Sequence, residues 1–86
     1  LIGSNCSISA GVQIYTHETV KWAISGGKKP YEYKSVVIED NCYIGPNSII
    51  QSGVIIKSGT IIGANSLVNK NFPKNSKIAG NPSKLI

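Results

Sequence analysis

The chain has 86 residues, with nine lysines, no arginine, four acidic residues, a net charge of +5, one His, one Trp, two Cys and no Met. This length holds one domain, and the longest apolar run, Gly53-Val54-Ile55-Ile56, is far short of the ~18 residues of a membrane span. The two Cys are too few for a disulfide scaffold and fit a reducing, cytoplasmic setting, and one His with two Cys cannot make up a usual zinc site.

No segment has the basic, apolar and small-residue order of a signal peptide. A complete chain normally begins with Met, so the start at Leu1-Ile2-Gly3 is expected to lie partway along a longer protein or to belong to a trimmed piece. The positive charge suits an acidic partner, but base-reading modules lean on arginine, so a phosphate-bearing small molecule fits better than nucleic acid.

Taken in chain order, Ile2, Ile8 and Ile14 recur every six residues. Ile38, Ile44, Ile50, Ile56, Ile62 and Val68 continue that period in the same phase. The fourth position of the units reads Asn5, Gly11, His17, Asn41, Asn47, Gly53, Gly59, Asn65 and Asn71. Apart from His17 these are the residue types that enter the left-handed backbone region at least cost, so a turn is expected in every unit. The fifth position is small or apolar (Cys6, Val12, Cys42, Ser48, Val54, Thr60, Ser66, Phe72), with Glu18 the exception. Neither strand alternation nor helical spacing produces this pattern. A hexapeptide repeat with an apolar first residue is that of an all-β, parallel β-helix, whose short strands stack ~4.8 Å apart.

Three units close one coil in this class. Residues 2–19 then form a first coil, and residues 38–55 and 56–73 form two more, giving a β-helix over 1–73. The segment 18–37 has no hexapeptide fit and is expected to be a loop extruded at a corner. It is close to one coil long, so Ile38 should stack on Ile2, and Cys42 should lie over Cys6 as packed filler rather than a disulfide. Residues 74–86 hold turn residues and a final apolar pair, and are expected to cap the stack. The sixth position, Tyr43, Ile49, Ile55, Ile61 and Leu67, faces outward, and such an apolar stripe marks an interface between subunits.

His17 is the residue with the most chemistry. It stands at a corner, pointing away from the interior, and an imidazole with a pKa near ~6.5 suits a general base. Spacing alone is equally compatible with a surface histidine at a tolerant corner.

Three features together resemble the hexapeptide-repeat acetyltransferases, most closely their sugar O-acetyltransferase branch of galactoside, maltose and polysaccharide enzymes. One is the repeat. Another is Tyr15-Thr16-His17 followed by the extruded loop that ends before Val37-Ile38-Glu39-Asp40-Asn41. The last is Ile62-Gly63-Ala64-Asn65-Ser66-Leu67-Val68-Asn69-Lys70, then Pro73, then Ala79-Gly80-Asn81-Pro82-Ser83-Lys84. The resemblance implies a left-handed β-helix, a homotrimer with active sites between subunits, acetyl-CoA as acyl donor and no metal. It implies His17 as the base that takes the proton of a sugar or glycan hydroxyl during direct attack on the thioester.

The resemblance also sets Pro46, Ala64 and Asn69 along the pantetheine arm, Lys70 near a CoA phosphate and Lys84 toward the adenosine 3′-phosphate. Tyr43 stands where many relatives carry Trp. The extruded loop is expected to shape the acceptor site, with Trp22, Tyr31 and Tyr33 stacking on a sugar, Gly26-Gly27 allowing flexure and Lys28-Lys29 meeting an anionic glycan or phosphorylated carrier. The alternatives are N-acetylation of an amino sugar, O-acetylation of serine, or a non-catalytic oligomerisation module of a larger enzyme. A pure scaffold has no reason to break its repeat beside His17, and a carbonic anhydrase would need more than one histidine.

Overall fold

The computed structural model describes all 86 residues. Its elements, in order, are β1 (Ser7–Ile8), β2 (Gln13–Ile14), β3 (His17–Glu18), α1 (Val20–Ile24), β4 (Glu32–Tyr33), β5 (Val37–Ile38), β6 (Tyr43–Ile44), β7 (Ile49–Ile50), β8 (Ile55–Ile56), β9 (Ile61–Ile62), β10 (Leu67–Val68), β11 (Lys77–Ala79) and β12 (Lys84–Leu85). They form a parallel β-helix of three walls. Wall one is β5–β8, extended downward by an Ile2–Ile38 bridge; wall two is β1–β6–β9–β11–β12; wall three is β2–β7–β10.

The registers confirm the coil. Ile38 pairs with Ile56, Ile44 with Ile62 and Ile50 with Val68, each 18 residues on. Ile2 pairs with Ile38, Ile8 with Ile44 and Ile14 with Ile50, each 36 residues on, so the excursion consumes one coil's worth of chain and leaves the phase intact. First-position residues form the core: Ile38, Ile44, Ile50, Ile56, Ile62 and Val68 are at most 3% exposed. Burial of each contributes roughly 1.5–3 kcal/mol. Sixth-position residues point outward; Tyr43 and Ile61 are exposed, and Ile49, Ile55 and Leu67 are half-buried.

The corners follow from the fourth position. Asn5, Asn41, Asn47 and Asn65 hold φ between 56° and 59°, and Gly11, Gly53 and Gly59 hold φ between 74° and 81°. At Gly59 the requirement is double, because a Cβ there would collide with Asn75 Oδ1 of the next layer. Corner carboxylates tie layers together: Ser4 N–H donates to Asp40 Oδ1 (2.7 Å) below, and Ser58 N–H donates to Glu39 Oε1 (3.0 Å) above. Two buried fifth-position serines are hydrogen-bonded, Ser48 Oγ and Ser66 Oγ both donating to Gly63 O (3.0 and 2.7 Å), whereas the buried Thr60 Oγ1 has no partner.

Two fourth-position residues depart from the turn pattern. His17 does not turn; it starts β3, the outgoing strand of the excursion, so its backbone is extended. Asn71 does not take the left-handed conformation either; its Oδ1 accepts the Ile55 N–H (2.8 Å) and closes the upper edge of wall one. The repeat then slips by two residues and resumes. Asn75 (φ 60°) makes the turn, Ser76 is buried, Lys77 faces out and Ile78, 0% exposed, stacks on Ile62 only 16 residues earlier. β12 folds back antiparallel on β11, with Ala79 opposite Lys84.

The two cysteines are free, with Cys42 buried and Cys6 half-buried in the layer below. Cys42 Sγ donates to Lys57 O (3.2 Å), and burial pushes its thiol pKa up. The neutral thiol is therefore favoured by folding. This stability is fully present below the unfolded thiol pKa, near ~8.5, and is lost as pH rises through the higher folded value. Native protein at pH ~8 should leave Cys42 unlabelled by iodoacetamide until guanidinium unfolds it, as read by peptide mass spectrometry. Cys42→Val should flatten the fall of the denaturation midpoint above that pH. Prompt labelling of Cys42 in the native state would contradict its burial.

Candidate functional site

The excursion is a built element. Lys34 N–H donates to Thr16 O (2.8 Å) at its base, and β3 pairs antiparallel with β4, setting His17 opposite Tyr33 and Glu18 opposite Glu32. Like charges facing across a hairpin repel. Lys21, on α1, offsets this by placing Nζ 2.7 Å from Glu32 Oε1. The bond and charge of Glu32 raise the Lys21 pKa, with a smaller contribution from Glu18, and Lys21 in turn lowers that of Glu32. At the far end Ser25 Oγ accepts the Lys28 and Lys29 N–H groups (3.1 and 2.9 Å), and Gly26 and Gly27 take φ of 68° and 82°. The Gly pair thus makes a hydrogen-bonded turn against Trp22 rather than the free hinge its composition suggests.

His17 lies in an open cleft of about 490 Å³ on the outer side of wall three. Polar groups of Tyr15, Glu18, Gln51 and Ser52 line it, with Val20, Ile49 and Leu67 as the apolar part. The His17 ring stacks on Tyr31 (centroids 6.3 Å, planes 18° apart) and against Tyr33 (5.8 Å, 38°). Trp22 meets Tyr31 edge-on at 5.5 Å. Two of the expected acceptor-site aromatics, Tyr31 and Tyr33, therefore flank the expected base, and Trp22 reaches it only through Tyr31.

The other expected residues lie elsewhere on the same protomer. Tyr43 is on the outside of wall two, where its hydroxyl receives Ser9 Oγ–H (3.5 Å). Pro46 and Ala64 stack at the corner between walls two and three, with Asn65 N–H donating to Pro46 O (2.9 Å). That corner is tight: a Cβ on Gly45 would sit 2.6 Å from Ala64 N. Lys84 is exposed on β12. Asn69 and Lys70 follow β10, one layer above Gln51 and Ser52, and Lys70 Nζ rests 5.3 Å over the Phe72 ring. One chain thus joins His17 to Tyr31, Tyr33 and Trp22, and leaves Tyr43, Pro46, Ala64 and Lys84 apart from them. Gln51 and Ser52 were not among the expected residues. The six-residue phase held the signal, since Ile50 stacks on Ile14 and carries Gln51 over Tyr15.

Residues 35–70 match the family model described as bacterial transferase hexapeptide (six repeats). Protein CapG of Staphylococcus aureus is 45% identical over 99% of this chain, which spans 50% of that protein. A 2,3,4,5-tetrahydropyridine-2,6-dicarboxylate N-acetyltransferase of Halalkalibacterium halodurans is 41% identical, again over 99% of this chain and 31% of its own length. Among solved structures, a galactoside acetyltransferase in complex with coenzyme A superposes with a TM-score of 0.86 at 31% identity, over 99% of this chain and 42% of that one. The chain spans half or less of the length of these relatives. Its six-residue repeat folds as a left-handed parallel β-helix. Its resemblance to the hexapeptide-repeat acetyltransferases, the sugar-modifying branch included, runs along nearly the whole chain.

Proposed function

We propose that this chain carries the catalytic coils of an acetyl-CoA-dependent O-acetyltransferase acting on a hydroxyl of a sugar or glycan. The observation that carries this reading is the placement of the sole histidine in a cleft of about 490 Å³ beside an excursion rich in aromatics. His17 takes the proton of the acceptor hydroxyl as its oxygen attacks the thioester carbonyl carbon. The C–S bond then breaks, and the departing CoA thiolate regains a proton from the imidazolium. Tyr15, Gln51 and Ser52 offer donors and acceptors to the hydroxyls of the acceptor, and Trp22, Tyr31 and Tyr33 offer ring faces.

In this reading the active protein is a homotrimer, and the outward stripe of Tyr43, Ile49, Ile55, Ile61 and Leu67 supplies apolar surface for it. The separation of Tyr43, Pro46, Ala64 and Lys84 from His17 within one protomer supports an active site shared between neighbours. The donor then runs past Pro46 and Ala64, where Gly45 permits close backbone packing, with Asn69 beside the thioester end. Lys70 and Lys84 act as point charges for its phosphates. No helix is long and apolar enough to cross a membrane, and the cytoplasm, where acetyl-CoA is made, is the proposed setting. No group of His, Cys, Asp and Glu side chains is arranged to hold a metal ion, and none is needed by this chemistry.

N-acetylation of an amino sugar is the second reading, favoured by the likeness to an N-acetyltransferase. The test is release of free CoA from acetyl-CoA by the full-length protein, with hexoses, galactosides, amino sugars and serine as acceptors. Acetylation of a sugar hydroxyl is expected. Transfer to the amino sugars alone would select the second reading, and absence of both turnover and calorimetric CoA binding would leave an oligomerisation module.

A further inference from the structure

The imidazole of His17 stands on a strand of only two residues, and within the protomer neither of its nitrogens is hydrogen-bonded. A general base needs a fixed ring plane, and a hydrogen bond to the second nitrogen is the usual way to fix it. Here the contacts that define the plane are aromatic. Tyr33 is the direct cross-strand neighbour of His17, and Tyr31 lies two residues along the same strand face, the diagonal position from which a large ring reaches across. Both ring separations, 5.8 and 6.3 Å, fall within the range in which offset aromatic pairs attract.

The rest of the excursion braces Tyr31 and the strand that carries Tyr33. Trp22 of α1 packs edge-on against Tyr31, and the Lys21–Glu32 pair ties α1 to β4 from the opposite hairpin face. The succession of supports runs from α1 through Tyr31 to the imidazole, while Tyr33 is placed by its strand pairing.

We propose that Tyr31 and Tyr33 are positioning residues that hold the His17 imidazole, so that one face of each ring serves the base rather than the sugar. The inference rests on the proposed role of His17 as base. Its geometric half is read independently, from the imidazole proton resonances of His17, which are assigned by their loss in His17→Ala.

In the full-length protein, the His17 ring protons should show an aromatic ring-current displacement. Tyr33→Leu and Tyr31→Leu should each diminish it, and the double variant should abolish it. With acetyl-CoA and the sugar of the acceptor panel that turns over fastest, Tyr33→Leu should lower kcat about tenfold while KM for acetyl-CoA stays within about twofold, since a displaced base slows the chemical step. Tyr33→Phe, which keeps the ring and loses the hydroxyl, should recover both the displacement and the turnover. The proposal is overturned if the resonances do not move in the double variant, or if they move while kcat holds. It is also overturned if the loss falls wholly on acceptor KM, the mark of sugar stacking. Turnover that survives His17→Ala would remove the base role itself, and the resonances would still decide whether the tyrosines orient the ring. Circular dichroism and the oligomeric state, unchanged in the leucine variants, separate these effects from misfolding.

Discussion

Replacing His17 with alanine is expected to slow acetyl transfer to a sugar hydroxyl by about 10²–10⁴-fold, the contribution of a well-placed general base. Near neutral pH a sugar hydroxyl stays protonated and attacks a thioester poorly, and no other side chain in the cleft is a histidine. Glu18 lines the same cleft, but it faces Glu32 across the hairpin and lies close enough to Lys21 to raise that lysine's pKa. The variant should fold, because His17 is exposed and its strand pairing uses backbone groups. KM for acetyl-CoA should change little, since the proposed donor positions Tyr43, Pro46, Ala64 and Lys84 lie away from His17. A rate within threefold of the unmodified protein would remove His17 from the chemistry.

Ile50→Ala is expected to destabilise the fold by about 2–5 kcal/mol, the usual cost of emptying a buried aliphatic site. Ile50 is 0% exposed and is held in register by Ile14 below and Val68 above. A domain of this size has about 5–15 kcal/mol in total. The loss also reaches the site, because the neighbours of Ile50 in the chain, Ile49 and Gln51, line the cleft. Denaturation of the full-length protein should show a lower midpoint with little change of slope. The control is the outward residue Ile61, 44% exposed in the protomer. Ile61→Ala should cost far less unless another subunit covers it, so a large effect there would measure the interface. An Ile50→Ala midpoint equal to that of the unmodified protein would contradict the packed column.

The coils were legible because the repeat states the same physical demand many times. A branched aliphatic fills the interior, a small residue follows the turn, and Asn or Gly makes the turn. The excursion was legible only as an interruption. α1 is five residues long, has no side-chain cap and buries nothing, so it leaves no helical periodicity to read. The β3–β4 pairing is two residues deep, and its specificity lies in contacts among His17, Tyr31 and Tyr33 that only the closed hairpin creates. The resumption of the repeat at Asn75–Ile78 was hidden by the two-residue slip around Phe72-Pro73, although Asn75, Ser76 and Ile78 obey the same position rules. The cleft residues Gln51 and Ser52 looked like ordinary corner residues until stacking placed them over Tyr15 and Thr16.

A stack of identical rungs is an invitation to further rungs: its upper rim is a row of bare amides and carbonyls onto which another molecule's strands would add, as fibrils grow. Here wall one ends with the Asn71 side chain already bonded to the Ile55 amide, and wall two ends in the reversed, two-residue β12 bearing Lys84. A parallel newcomer finds the first rim occupied and the second running the wrong way, short and charged. By the logic of protected edges, the same few residues oppose the addition of another molecule's strands to these two walls.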